Sequence, residues 1–216
     1  MRKNRTLRAA LGLGAAMSLW MGLYAYGAQS SVIESVNVSF KTIYGEPEEI
    51  SEPEVTVSGK SCSLGDVQYR TDYDNWKTGR KVRVEVTVVA EDGKYFPATL
   101  NRSKCKVTGA DFLSAKALDD SSLQVKADYR PGTVLGDTQK AGWSSTSKKK
   151  AVWKSVEYAP GYTLTLYGDN KVVKRMTVES NSANLADYRT DMDSTSDYEV
   201  KPVPVTSDET KYLKEG

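Results

Sequence analysis

From Val32 onward, apolar and polar residues alternate with a period of two. Val36, Val38 and Phe40 are interleaved with Asn37, Ser39 and Lys41, and Val82, Val84, Val86 and Val88 with Arg83, Glu85 and Thr87. Leu123, Val125, Ala127 and Tyr129 repeat the pattern. Successive strand side chains point to opposite faces, so each run predicts a strand with one apolar and one wet face. The β-branched and tyrosine residues that fill these runs suit a half-buried pleated surface. After residue 27 no stretch of eleven or more residues carries a helical stripe.

Turn signals punctuate the runs at Tyr44-Gly45-Glu46-Pro47, Ser58-Gly59-Lys60, Glu91-Asp92-Gly93 and Asp119-Asp120-Ser121. Asp92-Gly93 reads as a hairpin turn, because both residue types tolerate positive φ. Short strands at regular spacing predict two sheets packed face to face, and residues 28–131 are read as one such sandwich. The composition turns polar at Arg130-Pro131-Gly132, which makes 132–140 a linker with few apolar residues to bury. Residues 141–216 form a second unit with strands expected over 151–153, 162–167, 171–178 and 198–205, and a hairpin turn at Gly168-Asp169-Asn170. The expected fold class is all-β, two tandem β-sandwiches after an N-terminal signal peptide.

That signal is read from residues 1–27. Arg2, Lys3, Arg5 and Arg8 precede an uncharged, largely apolar run over 9–23, and small residues follow at Ala25 and Gly27, ahead of Ala28. This order predicts secretion and cleavage before Ala28. The competing reading is a retained anchor, since the run is near the shorter end of what spans a bilayer. Membrane association is expected only through that uncleaved segment. Loss of residues 1–27 takes four basic residues and no acid with it, so a formal charge of +2 becomes −2. A near-neutral surface of mixed sign gives no electrostatic footprint for nucleic acid. Two cysteines, Cys62 and Cys105, fall in the first half. An exported chain allows them a disulfide, which would close a loop of about 43 residues and contribute ~2–4 kcal/mol. Two buried thiols packed as small hydrophobes are the alternative.

The second half resembles a fibronectin type III module. The likeness rests on Trp153, on Ala159-Pro160-Gly161-Tyr162 leading into Leu164-Thr165-Leu166-Tyr167, on Gly168-Asp169-Asn170 with Lys171-Val172-Val173, and on Tyr198-Glu199-Val200-Lys201. It covers roughly residues 141–206 and implies that Trp153 and Tyr162 are core residues and that Tyr198 opens the sixth strand. The span from Leu185 to Tyr198 is longer than the family's usual corner, and a final strand is hard to find in what remains. No Arg-Gly-Asp tripeptide is present, so integrin binding does not carry over. The first half resembles a bacterial immunoglobulin-like domain through residues 82–90, Gly93-Lys94-Tyr95-Phe96 and residues 123–129. Tandem modules of this kind precede wall-binding repeats in surface proteins of Gram-positive bacteria, which implies a spacing or adhesion role, secreted or wall-associated.

The sequence has no histidine. The usual general base, the Ser-His-Asp triad and the commonest metal ligand are therefore missing together. Two cysteines cannot make a four-thiolate zinc site, and no phosphate-loop or dinucleotide glycine spacing is present. Asp72 and Asp74, and the group Asp191, Asp193 and Asp197, read as solvated loop acids. The second group is also a weak calcium candidate, but Ser196 stands where a calcium loop has glycine at its sixth position. Trp76 and Tyr73, set among acids and an amide, and Trp143 near the linker are candidate sugar-stacking residues; for Trp76 a place in the sandwich core is the favoured reading, and for Trp143 the alternative is packing the two modules together. Lys148, Lys149 and Lys150 read as a solvated loop. The resulting expectation is a non-enzymatic exported module without cofactor, a spacer, adhesion or protein-interaction domain, or alternatively a carbohydrate- or wall-binding module using exposed aromatics. The partner is left open between a cell-wall glycan and another surface protein.

Overall fold

The computed structural model describes residues 31–188 and 196–216. The signal segment over 1–27, and Asp191 and Asp193, lie outside the described residues. Within them the chain is all-β, and its helical turns are three single 3-10 turns at Tyr73–Asn75, Ala186–Tyr188 and Glu209–Lys211.

Ten strands build the first unit: β1 (Ser31–Val32), β2 (Val36–Ile43), β3 (Glu52–Ser58), β4 (Cys62–Tyr69), β5 (Val82–Ala90), β6 (Lys94–Tyr95), β7 (Thr99–Leu100), β8 (Cys105–Thr108), β9 (Ala110–Ala117) and β10 (Ser122–Tyr129). A five-stranded sheet runs β4-β5-β10-β9-β7 and a three-stranded one β3-β2-β8, with β2 and β8 parallel. The alternating runs supply the shared core as their pattern predicts. Val36, Val38 and Phe40 come from one sheet, and Val82, Val84, Val86, Val88, Leu123, Val125 and Ala127 from the other. Burying such side chains contributes roughly 1.5–3 kcal/mol each. Gly109 carries the chain from β8 to β9 at φ +74°, where an added Cβ would lie 1.9 Å from the Phe40 carbonyl oxygen.

One expectation for this unit fails, and one open alternative is decided. Gly93 does turn the chain at φ +74°, but β6 does not return along β5; it pairs in parallel with β1. The turn is therefore not a hairpin: the partner arrives from residues 31–32, a pairing that local turn chemistry cannot anticipate. Of the two alternatives for the cysteines, the buried thiols are the one found. Both are free and buried, Cys62 at the start of β4 in the five-stranded sheet and Cys105 at the start of β8 in the other. Burial pushes the Cys105 thiol up to about 11 and raises that of Cys62, with Glu91 adding to the latter.

After β11 (Thr133–Val134), the second unit contains β12 (Gly142–Trp143), β13 (Lys150–Val152), β14 (Gly161–Gly168), β15 (Lys171–Val178), β16 (Ser182–Asn184) and β17 (Asp197–Val203). Its sheets are β12-β13-β16 and β15-β14-β17. The expected hairpin joins β14 to β15 through Asp169 and Asn170, both at positive φ, as a primed turn requires. Trp153, Tyr162, Leu164 and Val200 all enter the separate second core. Trp153 meets Tyr162 edge-on at 5.4 Å between ring centres, and the Tyr162 hydroxyl accepts from the Val156 amide.

Residues 206–216 add no strand to these sheets. They cross back to the linker, where β18 (Leu213–Lys214) pairs in parallel with β11. The linker is therefore not a solvated spacer: Thr133 and Leu135 are fully buried, and Leu135, Val203 and Leu213 are buried residues outside both cores. The Thr133 and Leu135 amides donate to the Tyr212 and Lys214 carbonyls, and on the other side Ser51 and Glu48 amides donate to Gly132 and Val134 carbonyls. Backbone pairing, not composition, makes this short polar segment part of the interior.

Candidate functional site

The sequence-predicted aromatics do not assemble into a binding platform. Trp76 is 6% exposed, sits edge-on to Tyr69 at 4.9 Å and against Tyr129 at 6.2 Å, and donates its indole N–H to the Thr71 carbonyl. It is a core residue, because the 3-10 turn at Tyr73–Asn75 swings the following side chain inward. Tyr73 is exposed, yet its ring leans on Trp76 at 5.2 Å and its hydroxyl donates to the Ile50 carbonyl. Trp143 lies edge-on to Tyr198 at 5.0 Å, on the second core. Asp197 begins β17 and accepts the N–H of Tyr198. Among the described residues no group of three or more His, Cys, Asp or Glu is placed to hold a metal ion.

Charge is organised instead on the outer face of the five-stranded sheet. Glu85 lies between Arg70 and Lys126, with Lys126 Nζ at 2.9 Å, and Gln124 donates to it as well. The Arg70 and Lys126 hydrogen bonds hold its carboxyl below the ordinary value of 4.5. One strand row away, Asp111 and Asp128 stand directly opposite each other on β9 and β10. Two like charges so placed repel. Lys81 bridges them at 3.1 and 3.6 Å, and Arg83 Nε donates to Asp128 at 2.6 Å.

That second group borders a cavity of about 390 Å³ between the first unit and the returning tail. The tail contributes Asp208, Lys211 and Tyr212; the first unit contributes Thr42, Asp111, Asp128 and Arg130. Tyr212 is half-buried, its ring laid against Gly79, where φ is +73° and a Cβ would come within 2.6 Å of the ring. Arg130 donates to the Gly79 carbonyl at 3.1 Å, and Lys211 pairs with Asp208 at 2.9 Å. A larger opening of about 660 Å³ lies at the β3–β4 turn, lined by Lys60, Lys94 and several serines, where the Lys94 amine donates to the Ser31 hydroxyl. None of the tail residues was singled out from sequence. The available signal was the pair Tyr212-Leu213 inside an otherwise polar end.

Comparison with protein-family models, with curated proteins and with solved structures finds no match to this chain.

Proposed function

We propose that the protein is an exported, non-enzymatic surface or secreted protein that holds two β-sandwich modules in fixed relation, as a spacer or a protein-interaction and adhesion element. The observation that carries this reading is the junction. A flexible string of modules needs only a solvated linker, whereas here Leu135, Val203 and Leu213 are buried outside both cores and β11 of the linker is paired with β18 of the tail. Export rests on the order of basic, apolar and small residues over 1–27.

The modules are read as immunoglobulin-like followed by fibronectin type III-like. Support for the second comes from two three-stranded sheets around Trp153 and Tyr162, and from the Tyr198 hydroxyl, whose single proton is within reach of both the Gly142 and Val152 carbonyls and ties one sheet to the other. The spacer reading needs no catalytic group, and the ion pairs around Glu85 and Asp128 serve it as structural ties. Expression of the full chain in a secreting bacterial host, followed by fractionation and N-terminal sequencing, tests the proposal. The expected product starts at Ala28 and is found in the medium or in a high-salt wash of the cells. Intact Met1 in the cytosolic fraction would contradict it.

A further inference from the structure

We infer that the cavity roofed by the returning tail is a saccharide-binding site, with Tyr212 as its stacking face and Asp111, Asp208, Arg130 and Lys211 as its hydroxyl-recognising groups. The inference goes beyond the spacer reading, and it moves sugar recognition away from Trp76, whose ring is in the core. Its size comes first. A volume of about 390 Å³ falls within the ~300–1,000 Å³ of small-ligand sites, which cluster at junctions between units.

The chemistry of the wall selects the ligand class. Asp111 is paired with Lys81, Asp128 with Arg83 and Lys81, and Asp208 with Lys211. Arg130, bonded to the Gly79 carbonyl, adds a cation to these pairs, so the wall mixes both signs and presents no strong field of one sign to a highly charged ligand. It does present carboxylate acceptors beside ammonium and guanidinium donors, and each sugar hydroxyl can both donate and accept. The Tyr212 ring, with Gly79 behind it, adds an aromatic surface for the C–H face of a pyranose. Rigidity is built in on one side, since Asp128 is mostly buried and hydrogen-bonded at 2.6 Å on a central strand. The other side exists only while the tail is docked, so the site is complete only when the two ends of the fold meet.

Amide-resolved NMR titration of the intact chain tests this, with a β-1,4-linked N-acetylglucosamine tetramer and a β-1,4-linked glucose tetramer as probes. The expected result is a saturable shift of the Gly79, Gly109 and Asp111 amides with at least one probe, the two arms separating amino-sugar from neutral-glucan recognition. Asp111→Ala, on an exposed ion pair that leaves the tail in place, weakens binding about tenfold or more at unchanged melting temperature. Absence of a saturable shift with both probes overturns the inference, as does a shift that maps elsewhere or is indifferent to Asp111→Ala. Neither failure touches the spacer reading, which depends on the junction and not on the cavity.

Discussion

Leu213→Ala isolates the contribution of the tail to the junction. Leu213 is 4% exposed and sits on β18, flanked by the Tyr212 carbonyl that receives the Thr133 amide and the Lys214 carbonyl that receives the Leu135 amide. Truncating a buried leucine costs about 2–5 kcal/mol where the surroundings cannot relax. Here they can, because the tail ends a few residues later and its undocking exposes only the junction. The penalty is therefore expected near the lower end, ~2–3 kcal/mol, the transfer free energy of the side chain itself. At 1.4 kcal/mol per factor of ten, the opening equilibrium of the tail rises roughly 30- to 150-fold. Hydrogen exchange read at the Thr133 and Leu135 amides measures that opening directly. The Val125 amide, in the centre of β10 between two neighbouring strands, reports on the first core. The expected outcome is faster exchange at Thr133 and Leu135 with Val125 unchanged. Unchanged exchange at all three would show that the tail holds nothing, and equal acceleration at all three would show that it is not a separate unit.

Trp153→Ala should remove the second core's largest aromatic and its edge-on contact with Tyr162, at a cost of ~3–5 kcal/mol; calorimetry should show loss of the second unit's transition while the first survives. Trp153→Phe should be milder than the ring size alone suggests, since the indole nitrogen is buried without a hydrogen-bond partner. Glu85 is held below 4.5 by Arg70 and Lys126 in the folded state, so its contribution is present above pH 4.5 and is lost as the pH falls through the lowered folded value; urea midpoints between pH 6 and 3 should fall more steeply for the parent than for Glu85→Gln. Thiol labelling should find Cys62 and Cys105 unreactive in the native protein and both reactive after unfolding without reductant. A thiol count of zero in denaturant would mean a disulfide after all.

The long alternating runs were legible because a period of two, sustained over seven or eight residues, leaves one face that only a core can take. Val82–Ala90 and Ser122–Tyr129 fall where Val82 to Val88 and Leu123 to Tyr129 put them. Trp153 and Tyr162 were expected in the second core, and both are buried there. Two-residue strands have no period at all. That is why the parallel pairings of β1 with β6 and β11 with β18 were invisible, and with them the burial of Thr133 and Leu135. Trp76 stood beside Tyr73, Asp74 and Asn75, a polar setting that left sugar stacking open beside burial in the core, and the 3-10 turn before it places it in the core. The cavity under Tyr212 joins Thr42 and Asp111 to residues about a hundred or more positions away, a juxtaposition created by the tail's return and carried by no local pattern.

Small-angle scattering from the chain lacking residues 1–27, compared with the same chain ending at Val205, tests the fixed relation of the two modules most directly. The longer chain should fit a single arrangement, with the units held by Leu135, Val203 and Leu213. Removal of 206–216 should increase the radius of gyration and require a spread of arrangements, because β11 loses β18. The same broad spread for both chains would mean that the junction does not clamp the modules, and the spacer reading would fall with it.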